Sequence, residues 1–145
     1  MYDQAGKILI IEDDRKMRDM LSRKFKNDGY TVITAQDGKE GIEKAKELEI
    51  DMVITDIKMP EMDGYAVLEK IKEINPDIEI IMITGCSEYN NAIDSLKKGA
   101  YDYVTKPFNL DTLALIVSNA LLKKQLTLKR SEQESDSERK QKARE

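Results

Sequence analysis

The stretch Lys7-Ile8-Leu9-Ile10-Ile11-Glu12-Asp13-Asp14 decides how this chain folds. Its four consecutive apolar residues, three of them β-branched, are too few for a helix. A strand apolar at every position must be covered on both faces, as strands of parallel sheets are. Two further runs share this character, Met52-Val53-Ile54 and Ile80-Ile81-Met82-Ile83. Tyr30 to Ala35 alternates and reads as an edge strand, and Tyr101 to Thr105 is a weaker fifth.

Amphipathic segments fill the gaps. Met17, Met20, Leu21, Lys24 and Phe25 keep a 3.6-residue period, with Gly29 placed to close the helix. Ile42, Ala45 and Leu48 mark a second helix, and Val67, Leu68, Ile71 and Ile74 a third that Pro76 stops. Ala92, Ile93 and Leu96 mark a fourth ending at Gly99. Leu113, Ile116, Val117, Ala120 and Leu121 mark a fifth, whose N-terminus Asp111 favours. Met17, Met20, Met52 and Met82 fit core positions. Five strand–helix repeats predict an α/β protein, a doubly wound five-stranded parallel sheet with five helices.

After Lys124 the period fades, leaving Leu126 and Leu128. From Arg130 to Glu145 there is no large apolar residue, while Asp136/Lys140 and Glu138/Lys142 sit at i,i+4 spacing. Residues 125–145 therefore read equally as a helical extension or a disordered linker.

Composition excludes several chemistries. The 145 residues contain no histidine, so there is no His-ligated metal and no histidine base. One cysteine, Cys86, allows no internal disulfide and no Cys-cluster zinc site. No apolar run approaches the ~20 residues of a membrane span, and Met1 to Lys7 lacks a signal-peptide core. A reducing cytoplasm is the expected setting. The chain carries 24 basic and 28 acidic residues, eight and five of them from Lys123 onward, so the body before the tail is at −7. An acidic body argues against direct nucleic-acid contact and suits a divalent cation.

Ligands of open α/β sheets gather at the carboxyl ends of the strands. Glu12, Asp13 and Asp14 follow the first run, and Asp56 follows the third. Thr84 and Gly85 follow the fourth, and Lys106 and Pro107 the fifth. Glu12 and Asp13 would supply carboxylate ligands to Mg²⁺. Asp56 is suited to be a ligand and also a nucleophile forming an acyl phosphate. Thr84 and Lys106 are groups that hold phosphoryl oxygens. Each has a plainer reading when taken alone. Glu12-Asp13-Asp14 would equally open a helix, Asp56 would cap a turn, and Thr84-Gly85 would end a strand. Asp63-Gly64 is read as a turn before the third helix. The combination carries the argument.

Ile8 to Asp14, Asp56-Ile57-Lys58-Met59-Pro60-Glu61-Met62-Asp63-Gly64, Ile83-Thr84-Gly85 and Asp102-Tyr103-Val104-Thr105-Lys106-Pro107-Phe108 closely resemble the receiver domain of bacterial two-component response regulators. The phrase from Lys98 to Phe108 looks most like receivers of the nitrogen-regulation, sigma-54-dependent type. The resemblance covers residues 6–124 and implies the flavodoxin-like strand order 2-1-3-4-5. It implies that a sensor histidine kinase phosphorylates Asp56, with Mg²⁺ held by Glu12, Asp13, Asp56 and the backbone carbonyl of Lys58. Thr84 and Tyr103 would be the switch residues, Lys106 the phosphate-contacting lysine, and Lys106–Pro107 a cis bond. The face of the fourth helix, fifth strand and fifth helix would then change its partner affinity. A homodimer through it is expected from Leu113, Val117, Ala120 and Leu121 running on to Leu126 and Leu128.

Three points differ from the commonest pattern: Glu12 stands where Asp is usual, Gly85 stands where Ala is frequent, and the pair Lys58 and Cys86 leaves the phosphoryl lifetime open. A phosphatase of the haloacid-dehalogenase type would need a second Asp at position 58, where Lys58 cannot act as an acid. No phosphate-binding glycine motif is present. A phosphate-independent interaction module is the remaining alternative. The ~21 residues after Lys124 are too few for a further domain, which leaves a single-domain regulator acting by contact or the front of a longer transcriptional regulator.

Overall fold

Ile8, Leu9, Ile10 and Ile11 all lie out of solvent, because their strand runs through the middle of a covered sheet. A computed structural model describes residues 6–85, 93–94 and 96–126. Its five strands are β1 (Lys7–Ile11), β2 (Thr31–Ala35), β3 (Met52–Asp56), β4 (Glu79–Gly85) and β5 (Asp102–Lys106). They form one sheet of order β2-β1-β3-β4-β5, with every neighbouring pair parallel. The alternating strand from Tyr30 is indeed an edge.

Period 2 sends successive side chains to opposite faces, and each face has its own core. Leu9, Ile11, Val53, Ile80 and Met82 pack with Ile42 and Ala45 of α2 (Gly38–Glu47) and Val67, Leu68 and Ile71 of α3 (Gly64–Ile74). Ile8, Ile10, Ile54, Ile81 and Ile83 pack with Leu21 and Phe25 of α1 (Arg15–Asn27) and with Leu113, Val117 and Ala120. Each such side chain contributes about 1.5–3 kcal/mol by leaving water. A charge at Ile10 would break the sheet at its centre.

The helices start where Asp14, Asp37 and Asp63 accept from the amides of Lys16, Glu40 and Ala66. Each satisfies a donor the first turn cannot. Among the described residues α1, α2, α3 and a helix over 110–126 are present. The expected fourth helix shows helical backbone at 93–94 and 96–97, and the rest of it lies outside the described residues. So do Cys86, Leu128 and the charge pairs after Arg130.

Three sequence expectations are corrected. Met20 is 38% exposed and not a core residue; α1 turns Leu21 and Phe25 to the sheet instead. Leu48 is the C-cap of α2 and is exposed. Leu113, Val117, Ala120 and Leu121 are buried against the sheet and cannot carry a dimer contact. On that helix it is Leu115, Leu122 and Leu126 that face solvent.

Candidate functional site

Parallel register sets the site. Asp56, the last residue of β3, pairs with Ile83, so Thr84 lies one step further along β4; Thr84 and Gly85 pair with Thr105 and Lys106. Glu12 and Asp13 follow β1 directly, with the Glu12 amide donating to the Ala35 carbonyl at 3.1 Å. The strand ends thus bring together the groups that the sequence placed after each apolar run.

Asp56 is only 5% exposed. Its Oδ2 accepts from Lys106 Nζ at 2.6 Å, and its Oδ1 accepts from the Lys58 amide at 3.2 Å. Glu12, Asp13 and Asp56 each offer an oxygen within 4.8 Å of the others. Burial, then the charge of Asp56, pushes the Glu12 carboxyl up to about 7. Burial pulls the Lys106 ammonium down, but its hydrogen bond to Asp56 and the charges of Glu12, Asp56 and Asp13 outweigh that and hold it above its usual value.

This donor set fits a hard cation. Carboxylates so close repel unless a cation or proton lies among them. Among the described residues Glu12 Oε2 is buried without a hydrogen-bond partner, an omission a ligand would explain. Lys106–Pro107 is cis, as expected.

The family model for the response regulator receiver domain matches residues 8–118. The chain belongs to this family. It is 38% identical over 121 residues to the transcriptional regulatory protein ZraR of Klebsiella oxytoca, covering 83% of this chain and 27% of that protein. It is 34% identical over 118 residues to the DNA-binding transcriptional regulator NtrC of Escherichia coli K12, covering 81% and 25%. The chain therefore spans about a quarter of the length of these relatives. A receiver domain protein from Clostridium thermocellum is similar in structure, with a TM-score of 0.81 at 36% identity over 84% of this chain and 98% of that one. For NtrX from Brucella abortus the TM-score is 0.84 at 29% identity, over 89% and 29%.

Within this receiver Thr84 is buried, its hydroxyl donating to the Gly85 carbonyl at 3.3 Å. Tyr103 is half-buried and packs on the core shared with α2 and α3. Asp14, counted with the acidic cluster in the sequence, caps α1 instead. Two contributors were not legible. Gly64 brings α3 so close to β3 that a Cβ would meet the Asp56 carbonyl oxygen at 2.5 Å. Arg18 donates from Nη1 to the Glu12 carbonyl at 2.8 Å. Among the described residues no helix is long and apolar enough to cross a membrane.

Proposed function

We propose that Asp56 of this receiver accepts a phosphoryl group from the phosphohistidine of a sensor histidine kinase. A carboxylate oxygen forms the new O–P bond as the P–N bond of the donor breaks, and its electron pair stays with the imidazole. The reading rests above all on the Lys106 ammonium held 2.6 Å from Asp56 beside Glu12 and Asp13. Residues Glu12, Asp13 and Asp56, with the Lys58 carbonyl, would hold Mg²⁺, which when bound neutralises phosphoryl oxygen charge. Lys106 supplies a fixed positive charge to the same oxygens, and Thr84 a hydrogen bond.

Phosphorylation puts new charge and strong acceptors at the strand ends. Thr84 then moves toward them, Tyr103 turns inward, and the surface around β5 changes its affinity for a partner. The receiver proper spans residues 6–124, with 125–145 as an extension. In a longer protein of the ZraR or NtrC kind the output would be transcriptional control. A homodimer, if formed, uses Leu115, Leu122 and Leu126, one stripe opposite the buried face of the 110–126 helix.

The test is incubation with acetyl phosphate and Mg²⁺ followed by intact-protein mass measurement. One phosphoryl group is expected on the wild type and none on Asp56→Asn. Equal labelling of both would sink the assignment, and steady turnover of a phosphate ester would favour a phosphatase.

A further inference from the structure

We propose that Arg18 is a positioning residue for the cation site, acting through the peptide that joins Glu12 to Asp13. The inference rests on reading the acidic cluster as the Mg²⁺ site. Arg18 lies half-buried near the start of α1, and its Nη1 donates to the Glu12 carbonyl oxygen at 2.8 Å. That oxygen belongs to the peptide unit flanked by two members of the carboxylate cluster, Glu12 and Asp13. A planar peptide turns only as a block. Anchoring its oxygen restricts ψ of Glu12 and φ of Asp13, two of the torsions that set how the carboxylates of both residues leave the backbone.

The rest of Glu12 is tied as well. Its amide donates to the Ala35 carbonyl at 3.1 Å, and its Oε1 accepts from the Asp14 amide at 3.2 Å. Among the described residues the buried Oε2 is the acceptor left over, so these ties converge on presenting it. The loop closes through the helix, because the Arg18 amide donates to the Asp14 carbonyl at 2.9 Å. Side chain and backbone of one residue therefore hold both ends of the Glu12–Asp14 segment.

The identity of the acceptor matters. A guanidinium paired with the carboxylates would compete with a divalent cation for them. Bound to a carbonyl, it orders the ligands and leaves their oxygens open. Groups that orient metal ligands commonly change affinity by 10–100-fold when removed.

Calorimetric titration of the full chain with Mg²⁺ tests this, alongside acetyl phosphate labelling at graded Mg²⁺. Arg18→Met is expected to raise the Mg²⁺ Kd roughly tenfold. The Mg²⁺ needed for half-maximal labelling should rise by the same factor, with the rate at saturating Mg²⁺ little changed. Arg18→Lys is expected to restore part of the loss. Arg15→Ala removes the same charge from an exposed neighbour paired with Asp19 at 3.8 Å, and should not weaken binding. An Arg18→Met protein that melts early yet binds Mg²⁺ like the wild type would overturn the proposal. Should that variant not fold, Arg18→Leu takes its place, and a wild-type Kd there overturns the proposal. A wild type that binds no Mg²⁺ removes the cation reading itself, which separates the two failures.

Discussion

Lys106 Nζ lies 2.6 Å from Asp56 Oδ2, joining the end of β5 to the end of β3 across the intervening β4. The two are 50 residues apart in sequence, and the parallel register alone makes them neighbours. The pair has two sides. The ammonium offsets part of the repulsion among Glu12, Asp13 and Asp56, and it would also compete with a cation bound there for the same carboxylate.

Lys106→Met should therefore divide binding from chemistry. Two unit charges 4 Å apart near a protein surface interact by about 4 kcal/mol before solvent screening. Screening of this partly exposed lysine leaves an expected tightening of Mg²⁺ binding of about tenfold, or ~1.4 kcal/mol. The labelling rate at saturating Mg²⁺ should fall, since the charge proposed to meet the transferring group is gone. Calorimetry and a labelling time course read the two effects separately. Looser Mg²⁺ binding in the variant would contradict the competition.

Asp13→Asn should invert its effect with metal. In chelator it removes one of three crowded charges, so its urea midpoint should exceed that of the wild type. With Mg²⁺ at 100 times the wild-type Kd, binding adds about 2.7 kcal/mol to the wild type. The variant should gain much less, and the order of midpoints reverses. Parallel midpoints under both conditions would show that Asp13 is not a ligand.

Gly64→Ala and Gly85→Ala should differ in sign. A Cβ on Gly64 meets the Asp56 carbonyl oxygen at 2.5 Å and Ile57 Cα at 2.8 Å, both backbone atoms that cannot step aside. Overpacking of this kind costs about 1–3 kcal/mol, and here it also displaces Asp56. Around Gly85 no atom of the described residues beyond its chain neighbours lies within 4 Å of the added carbon. Its replacement should be neutral or stabilise by about 0.4–1 kcal/mol through the unfolded chain. Urea titrations of both variants check the contrast.

Gly64 also shows where sequence reading stops. Asp56, Thr84 and Lys106 were legible because an apolar run marks a buried strand and chemistry collects at its carboxyl end. Gly64 read only as a turn, since close approach of two backbones leaves no periodic signal. Arg18 was invisible for a related reason. Its acceptor is a carbonyl, which every residue has. Met20 and the Leu113–Leu121 stripe failed differently: a 3.6-residue period reveals that a helix has an apolar face, but not where that face ends or what covers it. Leu113 covers the sheet, and Met20 lies at the margin.

Asp51 was likewise unmarked, yet it ties the opposite, amino-terminal ends of the strands and gives a pH prediction. Its Oδ2 accepts from the Lys7 amide at 2.8 Å and its Oδ1 from Lys124 Nζ at 2.9 Å. Burial raises the Asp51 carboxyl, but those two hydrogen bonds, helped by the lysine charges, more than offset it and hold it below its usual value. A carboxyl depressed by folding stabilises above its unfolded pKa of about 3.9, and the gain is lost as pH falls through the folded value. The side chain is 40% exposed, so the effect is that of a screened pair, about 1 kcal/mol or less. The wild type should thus exceed Asp51→Asn in urea midpoint at neutral pH. The gap should hold down to about pH 4 and close below it. A gap that closes near neutrality, or persists in strong acid, would assign the difference to another group. Because Asp51 precedes β3 while Asp56 ends it, the variant should label with acetyl phosphate like the wild type. Reduced labelling would mean that the two ends of β3 are coupled.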